Sequence, residues 1–185
     1  MFRQLRSFPN QLTLLRLVFI PFIVITVLDA NYRWALALFV LAGISDGLDG
    51  LLARLLHQKT VLGQFLDPIA DKLLLSTLFL VLSFVHKVPW YVTVLVFSRD
   101  ICIVVTCAVL YVTGTFRDFR PSVYGKANTG AQIAAIFFVL LRQILATPWV
   151  AYAARVGLWS TFALTLISAI HYAFDVGRRA HAANL

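Results

Sequence analysis

Residues 45–72 read SDGLDGLLARLLHQKTVLGQFLDPIADK and place four aspartates, at positions 46, 49, 67 and 71, inside an otherwise apolar stretch. Half of the chain's eight acidic residues fall here, and none of the eight is glutamate. A carboxylate at the centre of a membrane helix costs about 2.5–3.5 kcal/mol, and neighbouring carboxylates also repel one another. We therefore expect cations to be bound among them, because a metal ion offsets both costs.

The composition around this stretch indicates an integral membrane protein. The chain has 185 residues, of which 61% are hydrophobic and 13% charged, whereas soluble domains have about 25% charged residues. Its mean hydropathy is +0.85. The net charge of +8 is scattered among apolar runs, which excludes a nucleic-acid partner and fits attraction to anionic lipid headgroups. The length predicts a single domain, residues 1–185.

Apolar runs of about 20 residues predict an all-α integral membrane protein with a bundle of six transmembrane helices. The predicted spans are residues 12–29, 33–54, 67–86, 89–113, 127–146 and 149–173. The second span is expected to remain helical beyond Asp46, because GLDGLLARLL keeps an apolar face at helical spacing. Arg142 and Arg155 are expected to reach an interface with their long side chains.

The Lys and Arg residues of the connections predict the orientation of the bundle. Nine lie on the side of the termini, and two, Arg33 and Lys87, lie on the other side. The nine are Arg3, Arg6, Arg54, Lys59, Arg117, Arg120, Lys126, Arg178 and Arg179. Cytoplasmic segments carry this excess of positive charge, so both termini and the aspartates are predicted on the cytoplasmic side. No Arg- and Ser-rich presequence precedes the first span, which favours a bacterial plasma membrane over an organelle.

The spacing of the aspartates places them in pairs on helix faces. Asp46 and Asp49 are three residues apart, and Asp67 and Asp71 are four apart. Two antiparallel helices with these faces opposed form an oxygen-lined site, which suits Mg²⁺ or Mn²⁺ better than zinc. Two such ions can clamp a pyrophosphate and stabilise charge on the attacking and leaving oxygens.

The residues between the aspartates fit a phosphate-bearing ligand. Gly50 and Ala53 leave room for close approach to the helix, and the Arg54 guanidinium can form a forked contact with a phosphate. Gly63 allows a turn between the two helices. Two alternatives remain at this point. Asp67, which precedes Pro68, has the pattern of a helix N-cap, and the cluster as a whole has the character of an ion pathway.

The complete pattern resembles the signature of the CDP-alcohol phosphatidyltransferase family. It is Asp46-x2-Asp49-Gly50-x2-Ala53-Arg54-x8-Gly63-x3-Asp67-x3-Asp71, and the resemblance extends to PNQLTLLR at 9–16, Arg99-Asp100, and GKANT at 125–129. It implies a membrane-bound enzyme that moves a phosphatidyl group from CDP-diacylglycerol to an alcohol and releases CMP. Homodimers are a further family-level expectation.

The resemblance also implies roles for individual residues. Asp46, Asp49, Asp67 and Asp71 would bind two Mg²⁺ or Mn²⁺ ions, and Asp71 would also take the proton of the acceptor hydroxyl. Four further residues would hold the cytidine diphosphate portion. These are Gly50, Ala53, Arg54 and Gly63.

Further charges in the spans predict a basic acceptor pocket. Arg99 and Lys126, together with Arg117 or Arg120, suit a phosphate-bearing acceptor. Neighbours on a helix point about 100° apart, so we expect Arg99 to face the site and Asp100 to orient it. The alternative is an ion pair between the two with a structural role only.

A polar face of the first helix is the remaining candidate. Asn10, Thr13 and Arg16 are spaced three residues apart. They either contact the diphosphate or the headgroup of the acceptor, or they anchor the helix at the interface.

Three functions follow from these residues. The predicted acceptor is glycerol 3-phosphate, and phosphatidylglycerol is the alternative, since both carry a phosphate and a primary hydroxyl. A divalent-cation transporter that uses the aspartates as ligands is a third hypothesis. Transporters often have a repeated half and discontinuous helices, and the sequence shows neither feature.

Overall fold

The computed structural model of the chain is built from α-helices. It describes the backbone of residues 8–55, 61–112 and 123–183, and the side chains of 16–45, 70–102 and 125–170. The helices in these segments are α1 (Phe8–Leu28), α2 (Tyr32–Leu55), α3 (Val61–Phe84), α4 (Trp90–Val112), α5 (Val123–Ile144) and α6 (Pro148–Ala183). For the described residues, the all-helical architecture and the six helices are thus confirmed.

The start of α3 corrects two sequence expectations. The helix begins at Val61 rather than at residue 67. Gly63 therefore lies in its first turn and does not form the turn between α2 and α3, which falls in residues outside the described ones. Asp67 and Pro68 lie inside the helix, so the N-cap alternative for Asp67 is wrong. A proline inside a membrane helix removes one backbone hydrogen bond, a loss that such helices tolerate.

Each helix packs against neighbours on two or more sides. α1 contacts α2 and α3, α4 contacts α3 and α6, and α5 contacts α2, α3 and, most extensively, α6. Gly157 permits the close approach of α5 and α6, because a Cβ at this position would lie 3.0 Å from the Cα of Ala135. Small residues at such crossings allow membrane helices to gain van der Waals contact.

Three short connections lie at one end of the bundle, namely residues 29–31, 85–89 and 145–147, and we call this the loop end. α1 and α3 both finish here in a Schellman motif. Ala30 and His86 take the left-handed conformation, with φ of 56° and 59°. The backbone N–H of Asn31 donates to Thr26 and that of Lys87 donates to Leu82, each at 2.8 Å. Both turns are therefore fixed by backbone hydrogen bonds.

The opposite end, where α2 finishes and α3 begins, is called the aspartate end. The buried charges of the bundle lie toward the aspartate end, whereas the loop end buries apolar side chains together with the hydrogen-bonded hydroxyls of Ser83 and Thr93. Fully buried apolar side chains near the loop end include Ile23, Val27, Leu82, Val92, Leu140 and Val150. Buried polar side chains near the aspartate end include Arg16, Arg99, Asn128, Gln132, Thr165 and Ser168.

The outer surface of the bundle carries large apolar side chains. Trp34, Phe84 and Tyr152 are 63%, 68% and 70% exposed, which an aqueous environment would disfavour. Among the described residues, Gly125–Ile144 and Pro148–Ile170 are long and apolar enough to cross a membrane. Trp34, Trp90 and Trp149 lie in the first turns of α2, α4 and α6 at the loop end, as expected of an aromatic belt at a membrane interface.

Candidate active site

A cleft of about 330 Å³ lies between α1, α2, α3 and α5. Its walls are mostly apolar and include Phe39, Leu74 and Phe137, whereas Arg16 and Asp71 give it a charged region. Gly43 and Gly130 also line it, and a Cβ added at either would meet no atom within 4 Å. The cleft therefore joins an ionic region to an apolar volume.

Arg16 and Asp71 form the charged region of the cleft. The Arg16 side chain is fully buried, and its Nη1 donates to the Oδ1 of Asp71, whose side chain is 36% exposed. A buried guanidinium requires a counter-charge, because isolated charges are costly in a low dielectric. The structure thus brings together two residues that the sequence places 55 positions apart. Asn10 and Thr13 belong to the same helix as Arg16, but their side chains are outside the described ones.

A second ionic group lies one residue further along α3. Asp100 Oδ1 accepts from Lys72 Nζ at 2.9 Å and from Arg99 Nη1 at 2.8 Å. The pair of Arg99 and Asp100 that the sequence left as an alternative is therefore formed, because the arginine side chain is long enough to return to its neighbour. Asp100 also fixes Lys72, so its role is wider than orienting one arginine.

Ser168 on α6 holds the other side of the Arg99 guanidinium. Its Oγ accepts from Nε at 3.3 Å and from Nη2 at 3.1 Å. Arg99 is 5% exposed, so these contacts restrict it strongly. Sequence reasoning missed both Ser168 and Lys72. Lys72 carried a usable signal, a lysine inside an apolar span that required an acidic partner, whereas a serine in an apolar helix carries none.

The side chains of the GKANTG segment, residues 125–130, lie in different environments. Asn128 is fully buried, and its Oδ1 accepts from Thr165 Oγ1 at 3.0 Å. Thr129 and Gly130 line the cleft. Lys126 is exposed in the first turn of α5, while Arg99 lies on α4, which packs on α3 and α6. An acceptor pocket shared by Lys126 and Arg99 remains a prediction, and Arg117 and Arg120 lie outside the described residues.

The helix backbone also shows where the other predicted metal-binding residues lie. Gly43 lines the cleft, and Asp46 and Asp49 follow it along α2 at intervals of three residues. Asp67 precedes Asp71 by one turn of α3. Residues spaced in this way share a helix face. The side chains of Asp46, Asp49, Asp67, Gly50, Ala53, Arg54 and Gly63 are outside the described ones.

The chemistry of the cleft fits a hard divalent cation. Asp71 offers carboxylate oxygens, the ligands that Mg²⁺ and Mn²⁺ prefer, and it already takes a cationic partner in Arg16. Within the side chains that the structure describes, His, Cys, Asp and Glu form no group of three or more. The four-aspartate site therefore stays a prediction, and Asp71 is the one member whose surroundings are known.

The comparisons with known proteins agree with the motif. The family profile of CDP-alcohol phosphatidyltransferases matches residues 6–170. A cardiolipin synthase (CMP-forming) of Rattus norvegicus is 31% identical over 94% of this chain and 62% of its own length. A putative cardiolipin synthase of Mycobacterium tuberculosis is 36% identical over 73% of this chain and 65% of its own.

A third relative matches this chain over nearly its whole length. The CDP-diacylglycerol–glycerol-3-phosphate 3-phosphatidyltransferase of Salmonella choleraesuis is 35% identical over 90% of this chain and 92% of its own length. The chain thus spans about two thirds of the length of the named cardiolipin synthases and nearly all of the Salmonella protein.

Proposed function

Because the chain belongs to the CDP-alcohol phosphatidyltransferase family, we propose that it transfers the phosphatidyl group of CDP-diacylglycerol to an acceptor hydroxyl and releases CMP. The observation that carries this proposal is the Arg16–Asp71 pair at the charged region of an apolar cleft. A lipid substrate with a charged reacting group is divided into an ionic part and an apolar part in the same way as this cleft. Family membership favours this activity over cation transport.

In the proposed reaction Asp71 acts as the base. Its carboxylate takes the proton of the acceptor hydroxyl, whose oxygen then attacks the phosphorus that carries the diacylglycerol. The bond from this phosphorus to the bridging oxygen breaks, and CMP leaves. Arg16, released from part of its contact with Asp71, can donate to the diphosphate oxygens. The apolar walls of the cleft accommodate acyl carbon atoms.

We infer that Asp46, Asp49, Asp67 and Asp71 hold two Mg²⁺ or Mn²⁺ ions. When bound, these ions supply positive charge to the diphosphate and so stabilise the departing CMP. Gly50, Ala53, Arg54 and Gly63 are the proposed contacts of the cytidine diphosphate portion. Gly63 stands in the first turn of α3, where an absent side chain allows a ligand to approach the backbone.

Glycerol 3-phosphate is the proposed acceptor. Arg99 is held by Ser168 and Asp100 with its guanidinium nearly buried. Lys72 lies on the neighbouring helix α3, and Lys126 on α5 is the other proposed cation. Such groups suit the phosphate of a small acceptor. The coverage of the Salmonella relative, 92% of its length, supports the same acceptor.

Phosphatidylglycerol is the second candidate acceptor. Relatives named cardiolipin synthase have similar identity to this chain, 31% and 36%. The apolar cleft is the structural feature that favours it, because a lipid acceptor needs space for acyl chains beside Asp71 in addition to those of CDP-diacylglycerol.

The proposed topology has six membrane spans, both termini in the cytoplasm and the aspartate end on the cytoplasmic side of a bacterial plasma membrane. The positive-inside asymmetry of the connections supports it. α6 has 36 residues, about 54 Å, whereas the hydrocarbon core is about 30 Å thick. Its C-terminal part, which includes Arg178 and Arg179, therefore extends beyond the hydrocarbon region.

Product analysis tests the proposal. Purified protein is incubated with CDP-diacylglycerol and Mg²⁺, in parallel with glycerol 3-phosphate or phosphatidylglycerol, and the lipid formed is identified by mass spectrometry. We expect phosphatidylglycerophosphate from the first reaction and CMP in equal amount. Cardiolipin from the second reaction alone would establish the other acceptor. Absence of CMP in both reactions would contradict the proposed activity.

A further inference from the structure

A second cavity, of about 270 Å³, lies at the loop end, on the far side of the bundle from Asp71. It is bounded by the 85–89 connection, the C-terminal turns of α5 and the N-terminal half of α6. From Asp71 to the end of α3 the helix rises about 20 Å. The cavity is therefore separate from the proposed active site.

Three cations line this cavity, Lys87, Arg142 and Arg155. The described side chains include three acids, Asp29, Asp71 and Asp100, and none of them lines the cavity. The ion pairs of the described residues join Arg16, Lys72 and Arg99 to Asp71 and Asp100. The three cations are exposed and line one cavity that no described carboxylate lines, an arrangement of like charges that an anion would stabilise.

The position of Arg155 strengthens the argument. It lies seven residues beyond Pro148, the first residue of α6, and therefore about 10 Å along the helix axis from the loop end. Arg142 lies in the last turn of α5, where the helix dipole favours a cation, and Lys87 lies in the connection that follows α3. Arg155 is exposed, and because side chains on a helix lean toward its N-terminus, its guanidinium extends back toward the loop end, where lipid phosphates would lie.

The walls of the cavity identify the kind of anion. Tyr91, Trp159 and Phe162 form one side, with Phe162 in edge-to-face contact with both of the others at centroid distances of 5.8 Å. Lys87 also lies 5.8 Å from the centre of the Tyr32 ring, which is not part of the cavity wall. Arginine side chains fit phosphate oxygens in a forked geometry, and amphipathic aromatic rings favour the headgroup level of a bilayer. The cavity thus combines cations that can bind a phosphate with an apolar wall.

We propose that this cavity binds the phosphate of an anionic phospholipid from the leaflet opposite the active site. The guanidinium groups of Arg142 and Arg155 and the ammonium group of Lys87 contact the phosphate, and the aromatic wall contacts the glycerol backbone and the first acyl carbons. The proposal depends on the bundle lying in a membrane and is independent of the reaction at Asp71.

Lipid titration of the full chain tests this site. Protein in neutral detergent with EDTA is titrated with phosphatidylglycerol or with phosphatidylcholine of the same acyl chains, and bound lipid is counted by native mass spectrometry. We expect the wild type to prefer phosphatidylglycerol. In the double variant Arg142→Gln/Arg155→Gln the Kd for phosphatidylglycerol should rise about tenfold, because each cation near an anionic headgroup contributes severalfold to affinity.

Two further variants control for charge and for folding. Arg33→Gln removes an exposed cation at the same end that does not line the cavity, and it should leave the Kd within about twofold. Arg155→Lys keeps the charge and should retain most of the affinity. CMP release by the double variant is measured separately, so that failure of the lipid site and failure of the proposed activity are distinguished.

Three results would overturn the proposal. Equal Kd values for the wild type and the double variant would remove the cations from lipid binding. Equal affinity of the wild type for the two lipids would show that the arginines only reach toward the interface. Displacement of the bound lipid by millimolar inorganic phosphate would assign the cavity to a free anion.

Discussion

The loop end and the aspartate end of this bundle are built from the same six helices but differ in whether charged side chains are buried in them. Near the loop end, α1, α3 and α5 bury Ile23, Leu82 and Leu140 without a charge among them. Near the aspartate end the same helices carry Arg16, Asp71 and Asn128. Charges at the loop end are instead on the outside, in Lys87, Arg142 and Arg155.

This difference shows how a small membrane enzyme can separate stability from chemistry. Close packing of apolar side chains at the loop end fixes the helices relative to one another. The aspartate end can then hold buried charges, whose desolvation is offset by the pairing of Arg16 with Asp71 and of Lys72 and Arg99 with Asp100. Substitutions in the two halves should therefore have different effects.

The largest effect is expected for Asp71→Asn. Loss of the carboxylate removes the proposed base and one metal ligand, and a general base alone contributes about 10²–10⁴-fold to a rate. CMP release should fall at least that far, while circular dichroism and gel filtration remain those of the wild type. Substantial turnover by this variant would remove Asp71 from the role of base.

Leu78→Ala is the matched change in the apolar half. Leu78 is 1% exposed in the core, and its truncation should lower the free energy of unfolding by about 2–5 kcal/mol. Activity per folded molecule should be retained. A loss of turnover in folded Leu78→Ala would contradict the separation of the two halves.

The next largest effect is expected for Asp100→Asn, which leaves Lys72 and Arg99 close together without their counter-charge. Removing one partner of a buried ion pair costs about 3–5 kcal/mol, and we expect a loss near the lower value because Lys72 is partly exposed. Unfolding in sodium dodecyl sulfate measures it. Lys72→Met, which preserves the pair of Arg99 and Asp100, should lose less. Equal stability of both variants and the wild type would contradict the role of Asp100 as the counter-charge of Lys72 and Arg99.

Ser168→Ala should have the smallest effect of the series. It removes the two acceptor contacts of Arg99 but leaves Asp100, and one hydrogen bond contributes about 1 kcal/mol, or about fivefold in an equilibrium constant. The KM for the acceptor should rise by about this factor, with kcat and the KM for CDP-diacylglycerol unchanged. Arg99→Ala should raise the same KM further. A rise in the KM for CDP-diacylglycerol instead would move Arg99 out of the acceptor pocket.

The sequence predicted the helices well because apolar length has a direct physical meaning in a bilayer. All six predicted spans correspond to helices, and the boundaries of α2 and α4 differ by at most one residue from the prediction. The predicted span began at residue 67 because only the apolar run was counted and a turn was expected at Gly63, whereas α3 begins at Val61. The alternative with Pro68 at the first helical position was wrong for the same reason. Inside a membrane helix, neighbouring groups tolerate the missing hydrogen bond.

Residues of the candidate site were predictable where their charge and spacing identify them. Residues that join the site only through the packing of helices were not predictable. The sequence selected Asp71, Arg16 and Arg99, because ionisable groups in apolar spans stand out. It gave Asp100 as an alternative partner of Arg99, but it did not pair Arg16 with Asp71 or Arg99 with Ser168. Arg16 meets Asp71 through the crossing of α1 and α3, and Arg99 meets Ser168 through the crossing of α4 and α6. Such crossings depend on the shapes of many apolar side chains together.

The dependence of CMP release on a divalent cation tests the central claim most directly. The full chain in liposomes that contain CDP-diacylglycerol is supplied with glycerol 3-phosphate or with phosphatidylglycerol, and CMP is measured with Mg²⁺, after addition of excess chelator, and after Mg²⁺ is restored. The claim predicts that chelation stops CMP release and that the returned ion restores it. Release that continues unchanged in the chelator would contradict a metal-dependent site at Asp71.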